Sequence, residues 1–528
     1  MSDQTATISA TAKERPVSDQ TATISTPFPA PAKPAPAPAA ARTKLILEGP
    51  IFSTLLRMSA PNVLNLLAFA GMVTFDGFFL GRLGSDALAG ASLVFPWVML
   101  VLQSTNSGMG AGVSSAVARA VGAGQSERAN ALVFHAFLLA LALGAIFAGL
   151  MLLGGPTLFR LMGGQDDMLD AALAYANVAL GGAAAICMLN FMGNAVRGTG
   201  NMALPAGVLV ACVLAHIAIS PILIFGFGPL PALGAAGAAW GLVLPFAVGG
   251  AWLVWYLHSG RALVRLSFRG ATPSWELFAD ILKVGVPGLV NTAFTNLSVV
   301  VLTGISARMG RDIAIGYAMG ARLEYIMQPL AFGFGTAILA MVGTNWGARQ
   351  YARARAIALT GVTTVAAVCG SIGITVAIFP ALWLGLFSDD PDVFRVGGLY
   401  LHIVAPLYLC FGMGLALFFV SQGLGRGAAA AAANGVRLAV NVVGGLIAVY
   451  WLDLGMIGFF ASVALGFAVY AALLVWAVVR VKEPETAAAV AKAVLTDSRH
   501  SAHQNMTMTL ATLLRSMRLP DHDYLVKK

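Results

Sequence analysis

The segment from residue 61 to residue 84, PNVLNLLAFAGMVTFDGFFLGRLG, has the length of a membrane-spanning helix and carries one acid, Asp76. At about 1.5 Å per residue, roughly twenty residues cross the ~30 Å hydrocarbon core. A carboxylate inside that core costs roughly 2.5–3.5 kcal/mol on insertion scales, so it usually faces a polar cavity. Asn65 lies eleven positions earlier and therefore on nearly the same helix face, and Pro61 stands near the start of the span. The segment predicts a proton or cation site at Asp76. The alternative is a carboxylate that turns to the interface beside Arg82.

The rest of the composition supports a membrane protein. Of the 528 residues, 10% are charged, whereas soluble domains carry about 25%. The net charge of +9 is expected from basic cytoplasmic loops rather than from nucleic-acid binding. The four cysteines lie in apolar segments without a CxxC pair, so no metal site is predicted. The sequence also contains no GxxxxGK[ST], HExxH or GxSxG motif. We therefore expect a transporter without a cofactor, acting as a monomer on a small molecule among membrane lipids, and not an enzyme.

Hydropathy predicts twelve membrane spans, at residues 54–80, 88–117, 131–154, 169–195, 202–226, 234–258, 280–305, 312–343, 356–380, 393–422, 429–451 and 454–480. The connections after even-numbered spans are rich in Lys and Arg, and those after odd-numbered spans hold most of the acids. Because Lys and Arg mark the cytoplasmic side, both termini are predicted to be cytoplasmic, in a multi-pass protein of the cell inner membrane.

Two tails flank these spans. Residues 1–44 are rich in Ala, Pro, Ser and Thr and contain SDQTATIS twice, so they are predicted to be disordered. Residues 483–528 form a polar C-terminal tail.

The chain repeats itself at an almost constant offset. Pro61 and Pro287 are separated by 226 positions, and Gly122 and Gly347 by 225. We predict two parallel six-helix lobes, residues 45–260 and 261–482, which suit alternating access around a central cavity. The fold class is thus all-α, with twelve transmembrane helices in two pseudo-symmetric lobes. At the offset of 226, the position that corresponds to Asp76 is Leu302, which has no acidic group. Any ion chemistry at that depth therefore belongs to the N-terminal lobe.

Further polar residues within the spans are candidates for ion coupling. His216 and Ser220 are four residues apart and share a helix face. The histidine is either a proton relay or a neutral residue hydrogen bonded between helices. Glu324 has a coupling role or forms a structural ion pair, for which Arg437 is the candidate partner.

The residues predicted to line the substrate cavity share an amide or phenol side chain within a span, and they are Asn65, Asn190, Asn194, Asn291, Tyr325 and Gln328. Asn190 and Asn194 also fit interhelical hydrogen bonds.

Five segments resemble the multidrug and toxic compound extrusion (MATE) family, closest to its DinF-like branch. They are residues 75–84 (FDGFFLGRLG), 196–201 (VRGTGN), 233–239 (LGAAGAA), 321–324 (ARLE) and 342–348 (VGTNWGA). The resemblance implies a V-shaped pair of lobes that exports organic, often cationic or amphipathic, compounds in exchange for H⁺ or Na⁺. It places Asp76 on the first-helix acid and Pro61 on the proline that bends this helix in DinF-like members.

The chain departs from the family pattern at two places. His216 and Ser220 stand where such members have Asn and an acid or Asn, and Thr295 stands where the NorM-like branch has an acid. The alternatives to multidrug export are a flippase for lipid-linked precursors, a dedicated exporter of one metabolite and a membrane-embedded enzyme. Scattered histidines, including His135 and His402, do not support the enzyme.

Overall fold

The structure, a computed structural model, describes residues 37–229, 231–387 and 390–481. Its α-helices are α1 (Ala37–Glu48), α2 (Ile51–Leu83), α3 (Ser85–Gln103), α4 (Met109–Gly122), α5 (Ser126–Leu161), α6 (Asp166–Ala179), α7 (Ala183–Gly198), α8 (Ala203–Phe225), α9 (Ala235–His258), α10 (Trp275–Met309), α11 (Arg311–Gly347), α12 (Tyr351–Ile378), α13 (Ala381–Leu384), α14 (Pro391–Val404), α15 (Tyr408–Gly423), α16 (Gly427–Ala439), α17 (Gly445–Tyr450) and α18 (Gly455–Val479). Two π-helical segments, Ser104–Gly108 and Val440–Gly444, connect α3 to α4 and α16 to α17, and a 3₁₀ turn, Ala405–Leu407, connects α14 to α15.

These helices account for the predicted spans. Within the described residues, ten helical stretches are long and apolar enough to cross a membrane, and α6 with α7 make an eleventh, bent by 42°. The remaining predicted span lies on α2, which is 33 residues long. Several helices overrun their predicted limits, as α10 does by starting at Trp275 instead of residue 280. The reason is that hydropathy detects only the apolar centre of a helix, while its polar ends continue into water.

Helical structure begins earlier in the N-terminal tail than the sequence predicts. Residues 37–44, predicted to be disordered, belong to α1. This helix is held at its end, because the carbonyl of Ile46 accepts hydrogen bonds from Asn345 at 3.2 Å and from Arg353 at 3.2 and 3.3 Å. Residues 1–36 and the tail from residue 483 lie outside the described residues.

The spans pack into two lobes around separate cores. One core is built mainly from buried side chains of α2–α9, and a second comes mainly from α10–α18. The linker between α9 and α10, residues 259–274, contains the predicted lobe boundary at residue 260. α2 packs both on α8 of its own lobe and on α11 of the other lobe. A change in the conformation of α2 can therefore alter its packing against both lobes.

Ion pairs join the lobes at the end where α4, α5 and α10 meet. Arg119 of α4 contacts Asp280 of α10 at 2.6 Å. Arg128 of α5 reaches Asp280 at 3.3 Å and Glu276 at 3.1 Å. Arg119 and Asp280 are 16% and 24% exposed, so their contact is largely shielded from water. This end of the molecule is closed.

Candidate functional site

The acid singled out by the sequence lies in a short chain of hydrogen bonds between α2 and α8. His216 Nε2 is 2.8 Å from Asp76 Oδ1, and His216 Nδ1 is 3.2 Å from the hydroxyl of Ser220. The histidine side chain is 1% exposed and the Asp76 side chain 18%. The i, i+4 spacing in α8 places His216 and Ser220 on one face, as predicted. The structure brings all three coupling candidates of this lobe together.

The hydrogen bonds can accommodate one proton without breaking. With a neutral imidazole, Nε2–H donates to the Asp76 carboxylate and Nδ1 accepts the Ser220 hydroxyl proton. When Nδ1 is protonated, the serine oxygen accepts instead, and His216 and Asp76 become an oppositely charged pair. The group thus changes its net charge by one while both contacts persist.

A glycine on α9 makes the room for this arrangement. A Cβ atom at Gly241 would lie 2.1 Å from the Ser220 hydroxyl and 3.0 Å from its Cα. Only a residue without a side chain lets α9 pack so closely on Ser220. The serine is therefore held in place by packing as well as by its bond to His216.

The alternative in which Asp76 turns to Arg82 does not describe the structure. The Arg82 guanidinium lies 4.5 Å from the ring centre of Phe78, one turn earlier on the same helix. The Asp76 carboxylate instead faces into the lobe, toward His216.

In the second lobe, Glu324 has partners that the sequence did not indicate. Its Oε1 accepts from the hydroxyl of Tyr400 at 2.5 Å and from that of Tyr408 at 3.5 Å. The predicted partner, Arg437, interacts with it electrostatically, but no ion pair within 4.0 Å joins the two in the described part of the chain. Direct contact therefore comes from tyrosines of α14 and α15. No sequence signal identified them, because both lie more than 70 positions away in apolar segments.

A pocket lies beside Arg437, within the second lobe. Its lining is formed by Gln103, Ser107, Asn291, Thr292, Thr295, Gln328, Phe332, Phe411, Leu415, Phe418, Arg437 and Tyr470. Gln103 and Ser107 belong to the first lobe, so the pocket extends to the junction of the lobes. Two predicted cavity residues, Asn291 and Gln328, thus border this pocket.

The other predicted cavity residues lie elsewhere. Asn190 donates to the Thr105 hydroxyl at 2.7 Å, and Asn194 donates to the Asn106 carbonyl at 3.3 Å, so both amides act between helices. Tyr325 is 53% exposed and does not line the pocket. Asn190, Asn194 and Tyr325 therefore do not line this pocket.

Two further predicted site residues, Asn65 and Pro61, lie on α2. Asn65 is 9% exposed, and its Oδ1 has no hydrogen-bond partner among the described residues. Pro61 lies in the interior of α2, which continues through it. The bending role of Pro61 stays a prediction.

Comparison with known proteins decides the family. The MatE family model matches residues 61–222 and 287–447. The chain belongs to this family. The two matches start 226 residues apart, which is the offset of the internal repeat.

Relatives of this MatE protein are transporters. It is 28% identical over 372 residues to the FAD transporter of Shewanella oneidensis, covering 69% of this chain and 80% of that one. It is 27% identical over 346 residues to the probable multidrug resistance protein NorM of Thermotoga maritima, covering 65% and 73%. A solved outward-facing conformation of a multidrug resistance MATE family transporter of the MOP superfamily superposes with a TM-score of 0.74 at 24% identity, covering 82% and 97%. The fold is therefore the two-lobed MATE fold, and the protein is a multi-pass membrane transporter for compound efflux.

Proposed function

We propose that this MATE transporter is an antiporter that exports small organic compounds across the inner membrane in exchange for H⁺, with Asp76 and His216 as the coupling site. The observation that carries the proposal is the hydrogen-bonded chain from Asp76 through His216 to Ser220. It joins α8 to α2, the helix that packs on both lobes. Titratable groups inside a membrane mark ion pathways by default.

Protonation of this chain would change the charge that the cavity presents. Before proton entry the site carries one negative charge on Asp76, which attracts a cationic or amphipathic cargo. Once a proton reaches His216, the pair is neutral overall and this attraction ends. The membrane potential contributes about 2.3 kcal/mol per charge per 100 mV to the inward movement of the proton. In this mechanism α2 bends at Pro61 when the charge changes.

The geometry favours H⁺ over Na⁺ as the coupling ion. Hard cations need several oxygen ligands. Asp76 Oδ1 faces a ring nitrogen of His216 at 2.8 Å. Such a ring N–H donor would occupy the place where a cation needs an oxygen, whereas a histidine accepts a proton near neutral pH.

The orientation of the protein in the membrane is inferred from the charges near the ends of its helices. Arg119, Arg128 and Asp280 lie at the closed end, on the side rich in basic residues, so this end is cytoplasmic and both termini lie there. We expect a monomer in contact with lipid, without a nucleic-acid partner or cofactor.

The identity of the cargo has two candidates. Multidrug export follows from the relatives named for multidrug resistance. Export of a single metabolite is favoured by the Shewanella relative, which is named an FAD transporter. The flippase alternative needs several basic residues around the cavity. Arg437 lines the pocket, whereas Arg322 lies 5.4 Å from the ring centre of Phe387 and is exposed.

The proposal is tested by transport in proteoliposomes with either a pH gradient or a sodium gradient. Ethidium is the first cationic probe and a flavin the first anionic probe. The pH gradient should drive export of at least one probe, and Asp76→Asn and His216→Gln should each abolish that dependence. His402→Gln is the matched control, because this exposed histidine bonds, among the described residues, to its own helix through Nδ1 and the Gly398 carbonyl at 2.6 Å.

Two results would contradict the proposal. Full proton-driven export by Asp76→Asn would remove the central role of this acid. Export driven by a sodium gradient but not by a pH gradient would show that Na⁺, and not H⁺, is the coupling ion.

A further inference from the structure

Two helix crossings join the lobes, and they occupy equivalent positions in the internal repeat. α10 of the second lobe packs on α4 of the first, and α2 of the first packs on α11 of the second. At the offset of 226, Gly288 of α10 corresponds to Asn62 of α2, and each follows a proline within its helix. At the offset of 225, Gly108 corresponds to Gly333 of α11. If the lobes were identical, the two crossings would have the same contacts.

The crossing of α10 on α4 is built from glycines in backbone contact. A Cβ atom at Gly288 would lie 2.9 Å from the Cα of Gly108, in the π segment that precedes α4. One at Gly112 would lie 2.5 Å from the Ile281 carbonyl oxygen. Such distances leave no room for a side chain, so only glycine permits this approach. The backbones of α4 and α10 are therefore packed directly against each other, and clashes oppose a displacement at this level.

The equivalent crossing of α2 on α11 depends on a hydrogen-bonded side chain. Asn62 Nδ2 donates to the Thr336 hydroxyl at 2.8 Å and to the Gly333 carbonyl at 3.3 Å. Asn62 is 9% exposed, so water does not readily replace these bonds. A Cβ atom at Gly333 would meet Val63 Cγ2 at 3.4 Å, an ordinary van der Waals distance, so side chains separate the two backbones here. The α2–α11 contact is thus held by hydrogen bonds that can be exchanged, whereas the α4–α10 contact is held by close packing.

Asn62 and the proton site lie on the same piece of α2. Pro61 cannot donate a hydrogen bond to the Arg57 carbonyl, so the helix is weakest just before Asn62. Asp76 lies 14 positions after Asn62, or about 21 Å along the helix, and no further proline separates them. Asp76 is bonded to His216 of the first lobe, and Asn62 is bonded to the second lobe. A displacement of this piece at Asp76 therefore also moves Asn62.

From these contacts we propose that Asn62 is the positioning residue that transmits the protonation state of the Asp76–His216 site to the second lobe. Its amide makes α11 follow the movement of α2, while the glycine crossing of α4 and α10 keeps the lobes together. The inference rests on the proposed antiport and adds the step between proton binding and movement of the lobes.

The distance between the lobes at the closed end tests the proposal. Spin labels are attached at Gln125→Cys, after α4, and at Ala356→Cys, in the first turns of α12, because both positions are exposed. Cys410 is replaced by serine, and the other three cysteines are buried. The distance is measured by double electron–electron resonance on the full-length protein in phosphatidylcholine nanodiscs.

The pH is the variable that changes the protonation of the site. Among the described residues, the titratable groups that face it are Asp76 of α2, His216 of α8 and Tyr175 of α6, whose phenol interacts electrostatically with Asp76. In the labelled parent protein, the ratio of closed to open distances should change severalfold between about pH 8 and about pH 6, on either side of the usual histidine range.

Variants assign this pH response to Asn62. Asn62→Leu should remove most of it, because α11 no longer follows α2. Asn434→Leu is the matched control, since Asn434 Nδ2 donates to the Thr295 hydroxyl at 2.9 Å and to the Asn291 carbonyl at 2.8 Å, both within the second lobe. This variant loses the same kinds of bond and should lower thermal stability, but it should keep the pH response. If Asn62→Leu does not fold, Thr336→Val replaces it and should reduce the response, because it removes the hydroxyl acceptor at nearly constant volume.

The outcomes separate this inference from the proposed antiport. Asp76→Asn should abolish the pH response, as the antiport requires. A response that disappears in Asp76→Asn but persists undiminished in Asn62→Leu, or in Thr336→Val as its replacement, would overturn the inference and leave the antiport standing. Loss of the response in Asn434→Leu would also overturn it, since any buried amide would then have the same effect. Absence of a response in the labelled parent protein would contradict both proposals.

Discussion

At the residue scale, Ser220 completes the hydrogen-bonded chain that runs from Asp76 through His216. Its hydroxyl is 3.2 Å from His216 Nδ1, and Gly241 packs behind it. The hydroxyl can donate to the neutral ring and accept from the protonated ring. This versatility lets the histidine change charge while both of its ring nitrogens stay hydrogen bonded.

Ser220→Ala is expected to weaken the protonated form of the site more than the neutral form. Hydrogen bonds to ionised groups are roughly twice as strong as neutral ones, so the loss of the serine oxygen penalises the imidazolium. The pH at which transport is half-maximal should therefore move to lower values. Thermal unfolding should also show a loss of about 1–3 kcal/mol, the cost of a buried group left unpaired.

Ser421→Ala provides the control for this prediction. Ser421 is also buried, but within the described part of the chain its hydroxyl donates to the Phe418 carbonyl of its own helix, at 2.8 Å. This variant should lose stability without a change in the pH profile. An unshifted profile in Ser220→Ala would show that His216 does not need the serine.

The coupling residues show where sequence reasoning succeeded and where it could not. The spacing of His216 and Ser220 predicted their shared face, since a helix alone determines it. The 2.8 Å contact to Asp76 spans 140 positions and depends on how α2 packs on α8, which helical periodicity does not encode. The same limit applies to Glu324, where the expected Arg437 was replaced by two tyrosine hydroxyls.

At the element scale, a π segment interrupts the span formed by α3 and α4. In Ser104–Gly108, Thr105 accepts from Asn190, and Asn106 Oδ1 accepts from Arg197 at 2.9 Å. Both donors, Asn190 and Arg197, lie on α7, so hydrogen bonds from α7 stabilise the π segment. Gln103, which directly precedes the π segment, and Ser107, which lies within it, border the Arg437 pocket. The segment therefore connects the frame of the first lobe to the pocket of the second.

Asn190→Ala should loosen this turn and the pocket edge together. Loss of the hydrogen bond to Thr105 costs about 1 kcal/mol in unfolding experiments. Maleimide labelling of Thr295→Cys, which also lines the pocket, should become faster as well, because Gln103 and Ser107 lose their support. Asn130→Ala is the matched control, since its amide oxygen accepts one bond, from the Arg265 backbone at 2.6 Å, away from the pocket lining. Destabilisation with an unchanged labelling rate in Asn190→Ala would contradict the link.

At the scale of the whole molecule, a duplicated scaffold carries its buried acids at non-equivalent positions in the two lobes. Tyr175 and Tyr400 are separated by 225 residues, the offset of the repeat. Tyr400 donates to Glu324, and Tyr175 lies close enough to Asp76 for electrostatic interaction. The acids themselves do not correspond, because one is on α2 and the other on α11. The lobes thus keep a common frame while their buried acids occupy different positions in it.

Alternating access requires the closed end to open, and Asp280 is the residue that holds it most directly. Its carboxylate binds Arg119 at 2.6 Å and Arg128 at 3.3 Å, and it is 24% exposed. Asp280→Asn should leave Arg119 and Arg128 of the first lobe without their shared anionic partner on the second lobe, and should shift the population toward a state open at this end. A shift of about 1.4 kcal/mol would change that population tenfold.

The shift is measurable by labelling Thr295→Cys, inside the pocket, with a membrane-impermeant maleimide in inside-out vesicles. Cys410, which is partly exposed, is first replaced by serine, while the other three cysteines are buried. Asp280→Asn should raise the labelling rate severalfold. Glu276→Gln should change it little, because the Glu276 side chain is 74% exposed and such surface ion pairs contribute only about 0–1 kcal/mol. Equal labelling rates in Asp280→Asn and the parent protein would mean that other contacts between the lobes keep this end closed.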